Sequence, residues 1–187
     1  MVDNIIQKRR SVYPVQYTGE AINDETIWAV LADANNAPSH RNTEPWRFKV
    51  YSGQAKEGLS EALTKAYKAH IPLEEQKEIK IKKIGGKTSK SSHILVVSRK
   101  LFDPSINPDW EEIASIACAV QNIYLSCTIR GLGCYWSTPK YLVGQKNILG
   151  LPDDEYCLGL VYIGVPDTDK TRTVIKQPIE DKVMWYN

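Results

Sequence analysis

Three polar segments of the 187-residue chain carry side chains that could do chemistry: residues 9–11, 37–46 and 131–138. The first is Arg9-Arg10-Ser11, where two guanidinium groups stand beside a hydroxyl. Guanidinium groups stay charged and donate paired, planar hydrogen bonds, which suits them to phosphate and other anions. The alternative is that this basic cluster only solvates the last turn of a helix and favours its dipole. From these residues alone, the alternative is preferred.

The second segment, APSHRNTEPW, is a polar loop bounded by two prolines. Its candidate binding side chains, including the residue just before it, are Asn36, Ser39, His40 and Asn42. The alternative is ordinary loop and cap chemistry, which Asn and Ser perform widely. A metal site built on His40 and Glu44 is disfavoured, because the loop supplies no third ligand.

Several common catalytic motifs are missing from the sequence. It contains no GxSxG, no GxxxxGK[ST], no HExxH, and no GxGxxG after a strand. The third segment, GLGCYW from Gly131, follows a predicted helix, so its glycines are not a dinucleotide fingerprint. A Rossmann dehydrogenase is therefore disfavoured.

Taken together, the three segments resemble the nitroreductase family of FMN-dependent enzymes. In that family an N-terminal RRS, an APSxxNxxPWxF loop and a late GxGxxW turn occur in this order. Here they are RRS, APSHRNTEPWRF and GLGCYW. The resemblance covers nearly the whole chain, since its length and the final strand before Pro166 also fit.

The resemblance implies roles for individual residues. Arg9, Arg10 and Ser11 would contact the phosphate, the ribityl chain and the pyrimidine edge of FMN. The loop would reach the flavin of a second subunit, chiefly through His40 and Asn42, with Ser39 and Asn36 as weaker contacts. The residues expected to line the flavin edge, partly through backbone donors, are Trp136, Ser137 and Thr138.

Two positions depart from the family pattern. Glu44 stands where the family often has a glutamine, and it is expected to point away from the flavin or to pair with Arg41 or Arg47. Near the C-terminus, Lys176 precedes Gln-Pro-Ile-Glu and partly matches a basic residue that closes on the phosphate, with Arg172 as the competing candidate.

The apolar pattern predicts the elements that hold these segments. Strands are predicted over 46–51, 94–98 and 156–163, the last two as central strands covered on both faces, with Trp46 and Phe48 in the core. Helices are predicted from Asp3, over 24–34 after the cap Asn23, over 55–69, and over 110–130 as a helix buried on nearly every side. Residues 131–138 are expected to form a turn, and the tail after 164 has no obvious core.

The stretch between Lys77 and Lys90 holds six lysines. No aromatic residues alternate with them, so a solvated helix and loop of charged, mobile character is favoured over a nucleic-acid site.

Composition narrows the class of protein. The formal net charge is +2 and the sequence pI is 8.2, whereas nucleic-acid-binding domains usually exceed about 9. The four cysteines form no CxxC pair, which favours a reducing, cytoplasmic setting. No stretch is expected to span a membrane, and no metal or nucleic-acid partner is expected.

The sequence therefore predicts one α+β domain over 1–187, with a mostly antiparallel sheet covered by helices on both faces, in an intertwined homodimer. The predicted activity is FMN-dependent hydride transfer from NADH or NADPH to a nitroaromatic, a quinone or another electron-poor acceptor, in ping-pong order. The flavin carries the chemistry, and no catalytic side chain is predicted. The alternatives are a flavin-binding relative with other chemistry (dehalogenation, ring oxidation or flavin storage) and a non-catalytic basic interaction module.

Overall fold

The computed structural model describes residues 2–105, 107–170 and 175–186. Within these ranges the helices are α1 (Val2–Lys8), α2 (Asp24–Asn35), α3 (Ala55–His70), α4 (Glu78–Lys90) and α5 (Asp109–Ile129). The strands are β1 (Trp46–Ser52), β2 (His93–Lys100), β3 (Gly133–Ser137) and β4 (Glu155–Gly164). Asn23 caps α2 as predicted, its Oδ1 accepting the Thr26 N–H at 2.9 Å. Asp3 lies inside α1 instead of capping it.

The described strands form one sheet in the order β1-β2-β4-β3, and every pairing in it is antiparallel. The two strands predicted to be central are β2 and β4, and both lie in the middle of the sheet, which confirms the prediction. The expectation of a turn over 131–138 is wrong, because residues 133–137 form an edge strand paired with β4. Gly131 and Gly133, just before and at the start of this segment, concealed a strand of only five residues.

Helices cover both faces of the sheet, as predicted. One apolar cluster joins α2 and α5 to alternate strand residues such as Leu95 and Val161. The other joins α3 and α4 to the neighbouring residues, such as Ile94 and Leu160. Because successive side chains of a strand point to opposite faces, each strand contributes residues to two separate cores.

A bulge in β4 resets that alternation. Val97 pairs with Gly159 and Ser98 with Cys157, so Leu158 has no partner on β2. Gly159 has a φ of +121°, and a Cβ there would overlap the carbonyl of Ser137. Glycine thus lets β3 approach β4 closely beside the residues expected at the flavin edge.

The start of α5 is fixed to the sheet by Arg99, whose side chain is completely buried. Its Nη2 donates to Asp109 Oδ1 at 2.7 Å, and its Nη1 donates to the Tyr156 hydroxyl at 2.8 Å. Burial alone would lower the pKa of Arg99, but these hydrogen bonds raise it above its usual value. The ion pair ties the first residue of α5 to β2.

One side of α5 is exposed, which corrects the expectation of a helix buried on nearly every side. Trp110 and Ile129 are 69% and 60% exposed. The helix is also long and apolar enough to cross a membrane by length and composition, contrary to the prediction that no segment is, and half of that apolar window is buried in the fold. The helix is apolar on two sides, but only one of them packs on the sheet and α2. This explains both the exposed residues and the apolar, half-buried window.

Candidate active site

The hydroxyl of Tyr124, on α5, joins the first and third polar segments. It accepts the backbone N–H of Trp136 at 2.8 Å and lies 3.2 Å from Ser11 Oγ. The guanidinium of Arg9 sits over its ring, 5.4 Å from the centroid. The structure therefore brings residues 9–11 and the end of β3 to one place, as the resemblance implies.

The segment after Ser11 is tied to the edge of the sheet. The Val12 N–H donates to the carbonyl of Cys134 at 3.0 Å. Tyr17, which is 1% exposed, donates its hydroxyl to the carbonyl of Val12 at 2.7 Å. Its ring covers Gly133 and Gly164, where a Cβ on either glycine would overlap it. This packing holds Arg9-Arg10-Ser11 against β3.

The Tyr124 hydroxyl takes part in two hydrogen bonds, one with Trp136 and one with Ser11. Because the Trp136 N–H donates to the Tyr124 oxygen, the Tyr124 proton is available for Ser11 Oγ. Ser11 is exposed, and either of the two hydroxyls can donate in this pair. Burial, with the nearby Cys134 thiol, raises the pKa of Tyr124 despite the opposing effects of Ser11, Trp136 and Arg9. The hydroxyl therefore stays neutral near pH 7.

Two buried donors at this place have no hydrogen-bond partner among the described residues: Arg10 Nε and Trp136 Nε1. An unsatisfied buried donor costs roughly 1–3 kcal/mol, and more when it is charged. An anionic, acceptor-rich group would satisfy Arg10 at the point where Ser11 offers a hydroxyl. The residues present therefore fit FMN.

The predicted loop is held in strained backbone. Arg41, Asn42 and Glu44 have φ values of 51°, 55° and 44°. Ser39 Oγ accepts the Glu44 N–H at 3.2 Å, and Arg47 donates to the carbonyl of Glu44 instead of its carboxylate. Backbone strain of this kind is typical of loops held for binding. The side chain of Asn42 is exposed.

Two contacts tie this loop to the start of α5. His40 Nδ1 lies 3.1 Å from Glu111 Oε2, a salt-bridge distance without hydrogen-bond geometry. Thr43 donates its hydroxyl to Glu112 Oε1 at 3.0 Å. His40 therefore faces Glu111 and not Glu44, and the described residues include no cluster of three metal-ligating side chains.

The two halves of the predicted site lie at opposite ends of α5 within one chain. Glu112 contacts the loop, whereas Tyr124 contacts residues 9–11 and β3. At 1.5 Å per residue, these two points on the helix are about 18 Å apart. His40 and Asn42 of a chain therefore lie well away from its own residues 9–11.

The remaining predicted contacts differ in their surroundings. Asn36 donates its side-chain amide to the carbonyl of Ala32 at 2.8 Å, so it caps α2. Lys176 is exposed and contacts no described residue by hydrogen bond or ion pair, and Arg172 lies outside the described residues. Trp46 is buried and Phe48 packs against the same core, as predicted.

Sequence reasoning missed Tyr124 and the glutamates at the start of α5. Tyr124 falls within an apolar helical pattern, where it is indistinguishable from a core residue. The available signal was its polar tip between aliphatic neighbours, since a buried tyrosine hydroxyl needs a partner.

Comparisons with known proteins give the same family as the resemblance in the sequence. The profile of the nitroreductase family matches residues 6–165. The nitrobenzene nitroreductase of Ectopseudomonas oleovorans is 24% identical over 218 residues, covering 96% of this chain and 94% of that protein. The crystal structure of a nitroreductase-like family protein from Bacillus cereus superposes with a TM-score of 0.83 at 26% identity, covering 100% of this chain and 96% of that one. A structure of an FMN and NADPH-dependent nitroreductase NfnB mutant, derived from a strain named sphigopyxis sp. HMH, gives a TM-score of 0.78 at 17% identity, with 99% and 98% covered.

The chain belongs to the nitroreductase family. The predicted family and fold class are thus confirmed. The predicted enzyme class, an FMN-dependent oxidoreductase that uses NAD(P)H, is the class of that family.

Proposed function

We propose that this protein transfers hydride from NADH or NADPH, through bound FMN, to an electron-poor acceptor such as a nitroaromatic or a quinone, in ping-pong order. The observation that carries the proposal is the convergence of Arg9, Ser11 and Trp136 around Tyr124, with the buried Nε of the adjoining Arg10 unpaired among the described residues. The related nitrobenzene nitroreductase and the FMN and NADPH-dependent neighbour support the acceptor class and the cofactors.

Residues 9–11 hold the cofactor in this proposal. Arg9 and Arg10 supply fixed positive charge and planar donors to the phosphate and the pyrimidine edge, and Ser11 adds a hydroxyl. Lys176 is the proposed further contact to the phosphate. These groups bind and orient the cofactor without taking part in bond making.

The end of β3 orients the flavin edge. The N–H of Trp136 is already occupied by Tyr124, and Ser137 pairs with Leu160 of β4, so the backbone donor left for the flavin is that of Thr138. FMN, when bound, supplies the hydride chemistry itself. We therefore assign no acid–base residue, and the protein's task is binding, orientation and exclusion of water.

We propose further that two copies complete each site. The separation of about 18 Å along α5 keeps the loop of one chain away from its own residues 9–11. The exposed apolar side of α5 gives a second copy a surface to cover. Ser39, His40 and Asn42 of one copy then close the flavin site of the other.

The test is a visible absorbance spectrum of the purified protein, with and without incubation with FMN, followed by addition of NADPH or NADH. We expect a flavin spectrum that is bleached by a nicotinamide and restored by a nitroaromatic. No bound flavin would refute the cofactor assignment. Bound flavin that neither nicotinamide bleaches would refute the reductase and leave the fold.

A further inference from the structure

Helix α4 presents a row of lysines that the proposed flavin site does not use. Lys80, Lys83 and Lys87 follow one another at intervals of three or four residues, so they lie on one face, and Lys77 stands just before the helix begins. Like charges at these spacings destabilise a helix. A row of this kind is stabilised when an anion lies along it.

This row lines a cavity of about 640 Å³ between α4, the end of α3 and the segment after β3. Lys140 and the ring of Tyr141 close the side opposite α4, and Tyr67 packs edge-on against Tyr141 with centroids 5.7 Å apart. The cavity thus combines ammonium groups with an aromatic wall.

The positive charge in the cavity is not balanced. Five lysines line it against two carboxylates, those of Glu74 and Glu75. No salt bridge joins any of these groups to another described residue. Lys87 lies over the rings of Tyr135 and Tyr162, and its desolvation, with Lys80 and Lys83 nearby, lowers its pKa. An anion is the missing partner.

The cavity adjoins the proposed flavin edge. Pro139, which lines it, directly follows Thr138, and Tyr135, under Lys87, directly precedes Trp136. Lys83 and Lys87 also line a second cavity of about 640 Å³ that reaches Tyr13, two residues after Ser11. The two cavities share Lys83 and Lys87, so the lysine row extends from beside Tyr13 to the segment that follows the proposed flavin edge.

We propose that this lysine cavity binds the phosphate groups of the nicotinamide donor, above all the 2′-phosphate, and makes the enzyme prefer NADPH to NADH. The inference rests on the proposed function. When the nicotinamide ring stacks on the flavin, the phosphate-bearing part of the dinucleotide must extend beyond the flavin edge. The lysines lie on that side. The 2′-phosphate adds a charged group with several acceptor oxygens, which is the feature that ammonium groups discriminate best.

The test compares wild type with the double variant Lys80→Gln/Lys83→Gln. Both lysines are exposed, so the fold is expected to survive. The first measurement is calorimetric binding of adenosine 2′,5′-bisphosphate and of adenosine 5′-monophosphate, which needs no turnover. We expect the bisphosphate to bind wild type about tenfold more tightly than the monophosphate, and this difference to disappear in the variant.

The second measurement is kcat/KM for NADPH and for NADH. We expect the NADPH preference to fall about tenfold in the variant, with FMN retention unchanged. Lys65→Gln, an exposed lysine on α3 outside the cavity, is the matched control and should alter neither measurement.

Equal binding of the two adenosine nucleotides by wild type, or an unchanged preference in the variant, would overturn the inference. A variant that loses activity toward 4-nitrobenzoate but not toward nitrobenzene, with NADPH use intact, would assign the cavity to an anionic acceptor and also overturn it. Failure of the flavin to be bleached would refute the proposed function, and the nucleotide-binding result would still decide the cavity.

Discussion

At the scale of single residues, Arg10 is the clearest link between structure and cofactor. Its Nε is buried without a partner among the described residues, whereas Lys8, two residues earlier, is exposed. A charged group left in this state costs free energy that a bound anion recovers. Substitution of Arg10 should therefore change the affinity for FMN measurably.

We expect Arg10→Ala to weaken FMN retention by about 1.5–3 kcal/mol, the range for a hydrogen bond to a charged group. That corresponds to a rise of roughly ten- to a hundredfold in the FMN dissociation constant, measured by equilibrium dialysis. Lys8→Ala is the control and should leave FMN binding unchanged. Unchanged FMN binding in Arg10→Ala would refute the contact with FMN and leave this arginine only a solvated position after α1.

The hydroxyl of Tyr124 joins Ser11 to the backbone of β3. Tyr124→Phe keeps the ring under Arg9 but leaves the Trp136 N–H without its acceptor, so we expect a loss of about 1–3 kcal/mol in the free energy of unfolding, measured by urea denaturation. FMN should also be held less tightly, because Ser11 loses its orienting partner. In a double-mutant cycle with Ser11→Ala, the effects on FMN affinity should be less than additive. Strict additivity would contradict the coupling.

At the scale of elements, the edge of the sheet positions residues 9–11 through Tyr17. Its ring lies where side chains on Gly133 and Gly164 would otherwise be. This arrangement explains why the chain after α1 follows the outer edge of β3 instead of leaving the surface.

Gly164→Ala should therefore destabilise the protein by about 1–3 kcal/mol, the usual range for an overpacked core. The control is Gly58→Ala in α3, where a Cβ meets nothing within 4 Å, and there we expect a gain of about 0.5–1 kcal/mol. Thermal or urea unfolding measures both. A neutral Gly164→Ala would mean that Tyr17 does not hold this edge.

The lysine row on α4 predicts a dependence of stability on pH. The pKa of Lys87 is lowered in the folded protein, mainly by desolvation, so the unfolded chain binds more protons in the alkaline range below 10.5. Stability rises with pH wherever the unfolded state binds more protons. We expect the stability of Lys87→Met relative to wild type to be highest near pH 7 and to decline as the pH rises toward 10. A difference independent of pH would show that Lys87 is not desolvated.

Sequence patterns sufficed for elements with a clear period, such as α2, α3 and the central strands β2 and β4. They did not reveal β3, because Gly133 resembled a turn residue and the strand is short. Nor did they reveal the bulge at Gly159, which depends on the close approach of Ser137 from another strand. Motif resemblance found residues 9–11 and the loop, whereas Tyr124 could be found only once packing placed it between them.

At the scale of the whole molecule, the apolar sequence of α5 has two faces with different partners. One packs on the sheet and α2, and the other is exposed. Composition cannot distinguish these faces, which is why the sequence predicted burial nearly all round. The described tail residues 175–186 are exposed as well, including Ile175 at 93% and Trp185 at 86%. Both surfaces are available to a second copy.

Ile113→Glu places a charge on the exposed side of α5, and we expect it to convert a dimer into a monomer with loss of retained flavin. Leu73→Glu is the control, since this exposed leucine lies between α3 and α4 on the other side of the sheet. Sedimentation velocity gives the mass of each. A variant that remains dimeric would place the interface elsewhere.

The central claim is that residues 9–11 of one copy and the loop of another form one flavin site. It is tested most directly by co-expressing an Arg10→Ala chain with a chain carrying His40→Ala/Asn42→Ala under separate affinity tags, then measuring FMN bound per isolated heterodimer. If sites are shared, one site in the heterodimer is intact and the other carries all the substitutions, so we predict about half the wild-type flavin while both mutant homodimers lose it. A heterodimer as deficient in flavin as the two homodimers would contradict the claim, because each site would then be built from a single chain.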